Sequence, residues 1–235
     1  MREDTFRGYP RRVAEVSSFA LSVVPDRQAT LRVLDIGCGA GDQIFDLASR
    51  LPNAHFVGVD FSAPNIAIAE QRRRGLPQAS RISFAMADFL GFRSDAPFDL
   101  AVSFSALQWM AGGVEALASR VAEALAPRAS FVNVMPYRCT FNHVLTAVRH
   151  VFVATRTDAL DRLYLNIALK LHRGDLDPAL LAERIPYLYA LPRQFDDDVA
   201  DALAQRGFRD VDWQRFPHAS FAQLKHAGRI MRKPA

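Results

Sequence analysis

Val33-Leu34-Asp35-Ile36-Gly37-Cys38-Gly39-Ala40-Gly41-Asp42 is the stretch that decides the fold. Its first residues form a short aliphatic run that reads as a buried strand, three alternating glycines break the run, and helical spacing follows from Asp42 to Arg50. Strand, glycine-rich turn and helix in this order open a βαβ unit. Gly37, Gly39 and Gly41 carry no Cβ, so the chain turns sharply there and lets a ligand approach its backbone. A dinucleotide fingerprint spaces its glycines as G-x-G-x-x-G. Here the third glycine arrives one position early, which argues against a pyrophosphate ligand.

Outward from this stretch the pattern repeats. His55 to Val59 reads as a second strand and Ala63 to Arg73 as a second helix. Strands at Ile82 to Met86 and Phe98 to Phe104 follow, then a helix from Val114 to Leu125 and a strand from Ser130 to Val134. Strands separated by helices, joined by right-handed crossovers, predict an α/β fold with a doubly wound, mostly parallel sheet. Residues 1–136 are read as this core with an N-terminal helix, 137–190 as a helical insertion or lid after the fifth strand, and 191–235 as the rest of the core. In the last part, Asp196 to Arg206 reads as a helix stopped by Gly207, Phe208 to Trp213 as a strand, and Ser220 to Ile230 as a helix.

Composition narrows the class. Half of the 235 residues are hydrophobic and 23% are charged, the balance of an ordinary globular domain. No apolar run long enough for a membrane span occurs, and the arginine-bearing start lacks a signal peptide's apolar core, so the cytoplasm is expected. Cys38 and Cys139 show no disulfide or zinc spacing, and no metal is expected. The net charge of +4 raises the question of a nucleic acid, yet the arginines are scattered. Their densest run, Arg72 to Arg74, closes a helix, where cations suit the dipole, and reads as a solvated helix end.

Ligands of doubly wound sheets bind beyond the carboxyl ends of the strands, so the residues there matter most. Asp60 closes the second strand and can accept both hydroxyls of a ribose; as a helix N-cap it would compete with Ser62. Asp88 follows the third strand, where it can take a hydrogen bond from an adenine amino group, and Phe61 and Phe89 can flank the base. Each loop aspartate alone is more often a turn former than a ligand.

Together, in order and at strand ends, Asp35, the glycine turn, Asp60 and Asp88 resemble class I S-adenosylmethionine-dependent methyltransferases over about Leu31 to Val134. The resemblance implies a Rossmann-like sheet and S-adenosylmethionine as cofactor. It implies that Asp35, Gly37 and Gly39 face the methionine part, Asp60 the ribose, and Asp88 and Phe89 the adenine, with Gly41 and Phe61 also counted among the cofactor-binding residues. Ser105 to Gln108 would then form the floor beneath the sulfonium. Tyr9 and Arg12 are candidates to reach the cofactor carboxylate.

A narrower resemblance rests on Ser105-Ala106-Leu107-Gln108-Trp109, on Val134-Met135-Pro136, and on Asn142-His143. These stretches look like the group that methylates trans-aconitate and malonyl carrier protein. It implies a small-molecule acceptor, a carboxylate or another small metabolite, without nucleic acid or membrane, and a monomer or homodimer. For an anionic acceptor the candidates are Arg138 and His143, with Gln108 beside them and Arg193 farther off. Trp109, Phe141, Tyr187 and Tyr189 read as packing rather than an aromatic cage. That group continues past the equivalent of Gly228 into a last strand, and only Arg229 to Ala235 remain here, so the sequence leaves that strand open.

Other chemistries compete. An aminocarboxypropyl transfer, or a cyclisation releasing methylthioadenosine, would use the same cofactor. A nucleic-acid methyltransferase is disfavoured because Ser103-Phe104-Ser105-Ala106 lacks an Asn-Pro-Pro-Tyr motif. A non-catalytic binding module would carry the same glycine turn.

Overall fold

The computed structural model describes residues 9–107, 110, 113–137, 192–221 and 224–235. In chain order these form α1 (Tyr9–Leu21), β1 (Arg32–Ile36), α2 (Asp42–Arg50), β2 (His55–Asp60), α3 (Ala63–Arg73) and β3 (Ile82–Met86). Then come β4 (Phe98–Phe104), α4 (Gly113–Ala124), β5 (Leu125–Tyr137), α5 (Pro192–Ala204), β6 (Arg209–Phe221) and β7 (Leu224–Arg232).

The strands make one seven-stranded sheet in the order β3-β2-β1-β4-β5-β7-β6. β1 to β5 run parallel, and β7 is antiparallel to both β5 and β6. The strand order reverses at β1, between β2 and β4, which puts the crevice at the glycine turn.

Two apolar layers hold the sheet. On one face Val16, Phe19, Ile44 and Leu47 of α1 and α2 cover Val33, Phe56, Leu100, Val102, Val132 and Val134. On the other, Leu117 and Val121 of α4 with Val199 and Leu203 of α5 cover Leu34, Ile36, Ala101 and Phe131. Because both faces are covered, the strands read as continuous apolar runs rather than alternating ones.

Local signals set the helix ends. Ser62 caps α3, its hydroxyl accepting the Asn65 N–H at 3.4 Å. At the C-terminal end of α2, Arg81 donates to the carbonyls of Ala48, Leu51 and Ala54. At the end of α4, Lys233 Nζ donates to Ala122 and Leu125. Both cations sit where the helix dipole is negative.

The tail departs from its expected form. Instead of a helix over Ser220 to Ile230, the chain continues β6 to Phe221 and returns as β7, so the last strand is present. Ala227, Ile230 and Met231 are buried because β7 lies inside the sheet between β5 and β6. Apolar residues spaced three and four apart suit a helix, but a strand covered on both faces produces the same spacing over so short a run. Residues 138–191, which hold most of the expected insertion, lie outside the described residues.

Candidate functional site

The site is built from the ends of β1 to β4. Gly37, Gly39 and Gly41 all take positive φ, at 74°, 53° and 85°. The amides of Gly37 and Cys38 both donate to the Val59 carbonyl, at 2.8 and 3.1 Å, which ties the start of the turn to β2. The Gly39 N–H donates to Asp60 Oδ2 at 2.9 Å, and the Ser62 N–H donates to Asp60 Oδ1 at 2.9 Å. Asp60 therefore braces both the glycine turn and the entry to α3, while Ser62 takes the capping role.

The glycines have different reasons. A Cβ on Gly37 would come within 2.2 Å of the Ala106 Cβ, so the turn packs directly on the loop after β4. A Cβ on Gly39 would meet nothing within 4 Å among the described residues, which leaves the space over the middle of the turn open there. Ser105 sits opposite at φ 57°, its N–H held by the Val134 carbonyl at 2.6 Å. A non-glycine residue in this region carries strain of order 1–3 kcal/mol, which must be offset by the surrounding packing.

Asp35 is the electrostatic centre. It is 1% exposed, and among the described residues neither carboxylate oxygen has a hydrogen-bond partner. Burial first, and the nearby Asp60 carboxylate second, push its pKa up to about 8. Burial first, then the Asp35 and after it the Asp60 carboxylate, push the Cys38 thiol far up, so that sulfur packs as an apolar atom. A buried carboxyl without a partner beside an open, glycine-lined hollow fits a ligand that carries a positive amino group. S-adenosylmethionine carries such a group on its methionine end, next to a nucleoside that the acidic strand ends suit.

The remaining expected residues divide. Asp88 is exposed and its Oδ1 accepts the Leu90 N–H at 3.0 Å, shaping the turn after β3. Phe61 projects outward, 73% exposed, as does Met86 at the end of β3. Phe89 does not join them: its ring is 2% exposed within the layer under α4, stacked beneath the Arg120 guanidinium at 5.8 Å. Flanking a base with that ring is thereby corrected, because the position belongs to the core and only the backbone of Phe89 lies at the strand end. Gln108, Trp109, Arg138, Phe141, His143, Tyr187 and Tyr189 lie outside the described residues, as do the side chains of Tyr9, Arg12 and Arg193.

Two contacts here were not readable in the sequence. Gly58, inside β2, admits Ile44, Phe84 and Cys38, each within 2.8 Å of where a Cβ would stand. Arg72, exposed at the end of α3 as expected, also reaches back to the turn, donating to the Ala40 carbonyl at 2.9 Å and pairing with Asp42 at 2.6 Å. Neither has a local signature, since both depend on which elements the fold brings together. Among the described residues no cluster of His, Cys, Asp or Glu could hold a metal, and no helix is long and apolar enough to cross a membrane.

The sheet thus carries a single antiparallel strand at β7, a glycine turn after β1, and aspartates at the end of β2 and after β3. Residues 33–128 match the family described as a methyltransferase domain. Trans-aconitate 2-methyltransferase of Paracidovorax citrulli (strain AAC00-1) is 37% identical over 108 residues, 46% of this chain and 40% of that protein. The malonyl-[acyl-carrier protein] O-methyltransferase of Bacillus cereus (strain ATCC 14579) is 30% identical over 93 residues, 38% of this chain and 33% of that protein. The matches thus span well under half the length of these curated relatives. Among solved structures, the N-methyltransferase NodS from Bradyrhizobium japonicum WM9 superimposes with a TM-score of 0.62 at 18% identity, covering 98% of each chain. That likeness is one of fold.

Proposed function

We propose that the protein transfers a methyl group from S-adenosylmethionine to a small-molecule acceptor, and that the acceptor presents a carboxylate oxygen. The observation that carries the reading is the buried, unpartnered Asp35 carboxyl beside the open glycine turn, within a stretch matched by the methyltransferase family. The carboxylate acceptor draws its support from the relatives that are named for trans-aconitate and malonyl carrier protein. We place the reaction in the cytoplasm, on a monomer or homodimer, with neither nucleic acid nor membrane as partner.

In this reading Asp35 faces the cofactor's ammonium, and Gly37, Gly39 and Gly41 let the backbone follow its methionine chain. Asp60 keeps one lone pair per oxygen for the ribose hydroxyls while bracing Gly39 and Ser62. Asp88 accepts from the adenine amino group, the Phe89 backbone lies along the base edge, and Phe61 covers a face. Ser105 and Gln108 floor the reacting centre. Tyr9 and Arg12 approach the cofactor carboxylate from the start of α1, and Arg138 and His143 grip the acceptor after β5, with residues 137–190 as the acceptor-side insertion.

The bound cofactor supplies an electrophilic methyl on a sulfonium. The protein's task is placement, since a carboxylate is a sufficient nucleophile without a general base. Holding the acceptor oxygen about 3 Å from the methyl in a dry pocket contributes on the order of 7–11 kcal/mol through entropy already lost on binding. The test is incubation of the protein and S-adenosylmethionine with a panel of small carboxylic acids that includes trans-aconitate, read by mass spectrometry. Methyl esters together with S-adenosylhomocysteine are the expected products. Methylthioadenosine in their place would overturn methyl transfer in favour of aminocarboxypropyl transfer or cyclisation.

A further inference from the structure

Resting on the reading that S-adenosylmethionine occupies the glycine turn, we infer that Arg72 is a positioning residue for the cofactor, holding that turn in its binding shape. Three contacts carry the inference. Arg72 stands in the last turn of α3, and its Nη1 donates to the Ala40 carbonyl at 2.9 Å. Its Nη2 pairs at 2.6 Å with the carboxylate of Asp42, the first residue of α2. Its guanidinium lies 4.9 Å from the centre of the Phe45 ring, one turn farther along α2.

These contacts fix a peptide unit that matters. The Ala40–Gly41 peptide has its carbonyl on Arg72 and its N–H on the Cys38 carbonyl at 3.0 Å, so it cannot flip without breaking both. One residue earlier, Gly39 is held through its N–H by Asp60. The turn is thus gripped at two peptides, one peptide apart, by Asp60 at the end of β2 and by Arg72 in the last turn of α3. Phe45 completes the clamp, because its ring fills the space where a Cβ on Gly41 would stand, at 2.9 Å. A glycine-rich turn has more freedom to lose than any other chain segment, so an external clamp lowers the entropy lost when a ligand orders it.

Arginine is specific for this task. Its planar fork reaches a carbonyl and a carboxylate at once while stacking on a ring, whereas lysine offers one compact charge. Arg73 provides the contrast: it bonds to Glu70 within its own helix and to the Ala79 carbonyl, and these contacts leave the turn alone.

The test compares Arg72→Ala, Arg72→Lys and Arg73→Ala with the unaltered protein, by calorimetric titration of S-adenosylmethionine and of S-adenosylhomocysteine. Thermal midpoints without cofactor are recorded in parallel. Arg72→Ala is expected to weaken both ligands about tenfold, the loss of roughly one charge-assisted hydrogen bond's worth of ordering. Arg72→Lys should recover about threefold of this. The cofactor-free midpoint should stay within a few degrees in every variant, since the side chain is 41% exposed. Unchanged affinity in Arg72→Ala overturns the inference, and so does an affinity loss that Arg73→Ala reproduces or that follows the fall in midpoint. If the unaltered protein binds neither ligand, the occupancy of the turn itself is wrong and the inference falls with it.

Discussion

Asp35 shows how one residue carries a conflict between folding and binding. Unfolded, its carboxyl loses a proton near the ordinary value of 3.8; folded and buried, it keeps the proton up to about 8. Between those values the folded chain binds more protons than the unfolded one, so stability without cofactor falls as pH rises through that window. Replacing Asp35 by Asn keeps size and polarity but removes the titration. Thermal midpoints taken at about pH 5 and about pH 8 should therefore show the unaltered protein losing ground against Asp35→Asn at the higher pH. Equal slopes for the two would mean that Asp35 finds a partner in the cofactor-free protein. The position was legible as a strand-end acid in the sequence, but its solitude was not, because desolvation is a property of the packed neighbours α2 and β2.

At the scale of elements, the parallel core was readable and the antiparallel end was not. β1 to β5 each lie between apolar layers and alternate with helices, so periodicity and turn residues agreed on them. β7 runs inside the sheet between β5 and β6, and its apolar residues lack the alternation of a half-buried strand. What seats it is a contact between distant residues. Gly228 lies against the edge-to-face pair of Phe19 from α1 and Phe216 from β6, whose ring centres are 5.3 Å apart, and a Cβ there would come within 2.4 Å of Phe19. Gly228→Ala should therefore cost about 1–3 kcal/mol by overpacking, measured as a lowered urea midpoint with an unchanged slope. A neutral result would show that α1 shifts freely over β7. The same logic explains why Arg72 escaped notice: its partners Ala40 and Asp42 lie about thirty residues upstream and become neighbours only when β1 and β2 pair.

For the whole molecule, binding and stability are linked because the crevice exists only in the folded chain. The glycine turn, Asp60 and the Ser105 loop come from three different strand ends, and the Asp35 carboxylate beside them has no hydrogen-bond partner among the described residues. A cofactor that engages this set binds the native state and not the unfolded one, so it must raise the unfolding free energy by mass action. At about a hundred times its dissociation constant the gain is about 2.7 kcal/mol. For a chain of this length each kcal/mol moves the thermal midpoint by roughly 2–4 °C, which gives an expected rise of about 5–10 °C with S-adenosylmethionine. Asp60→Ala should lose most of that rise, because the ribose hydroxyls go unpaired, at about 1–3 kcal/mol, and the Gly39 amide loses its brace. The decisive comparison is the cofactor-induced shift in each protein rather than its absolute midpoint, since Asp60 also supports the apo turn. A full shift in Asp60→Ala would move the ribose away from β2 and require another acid to receive it.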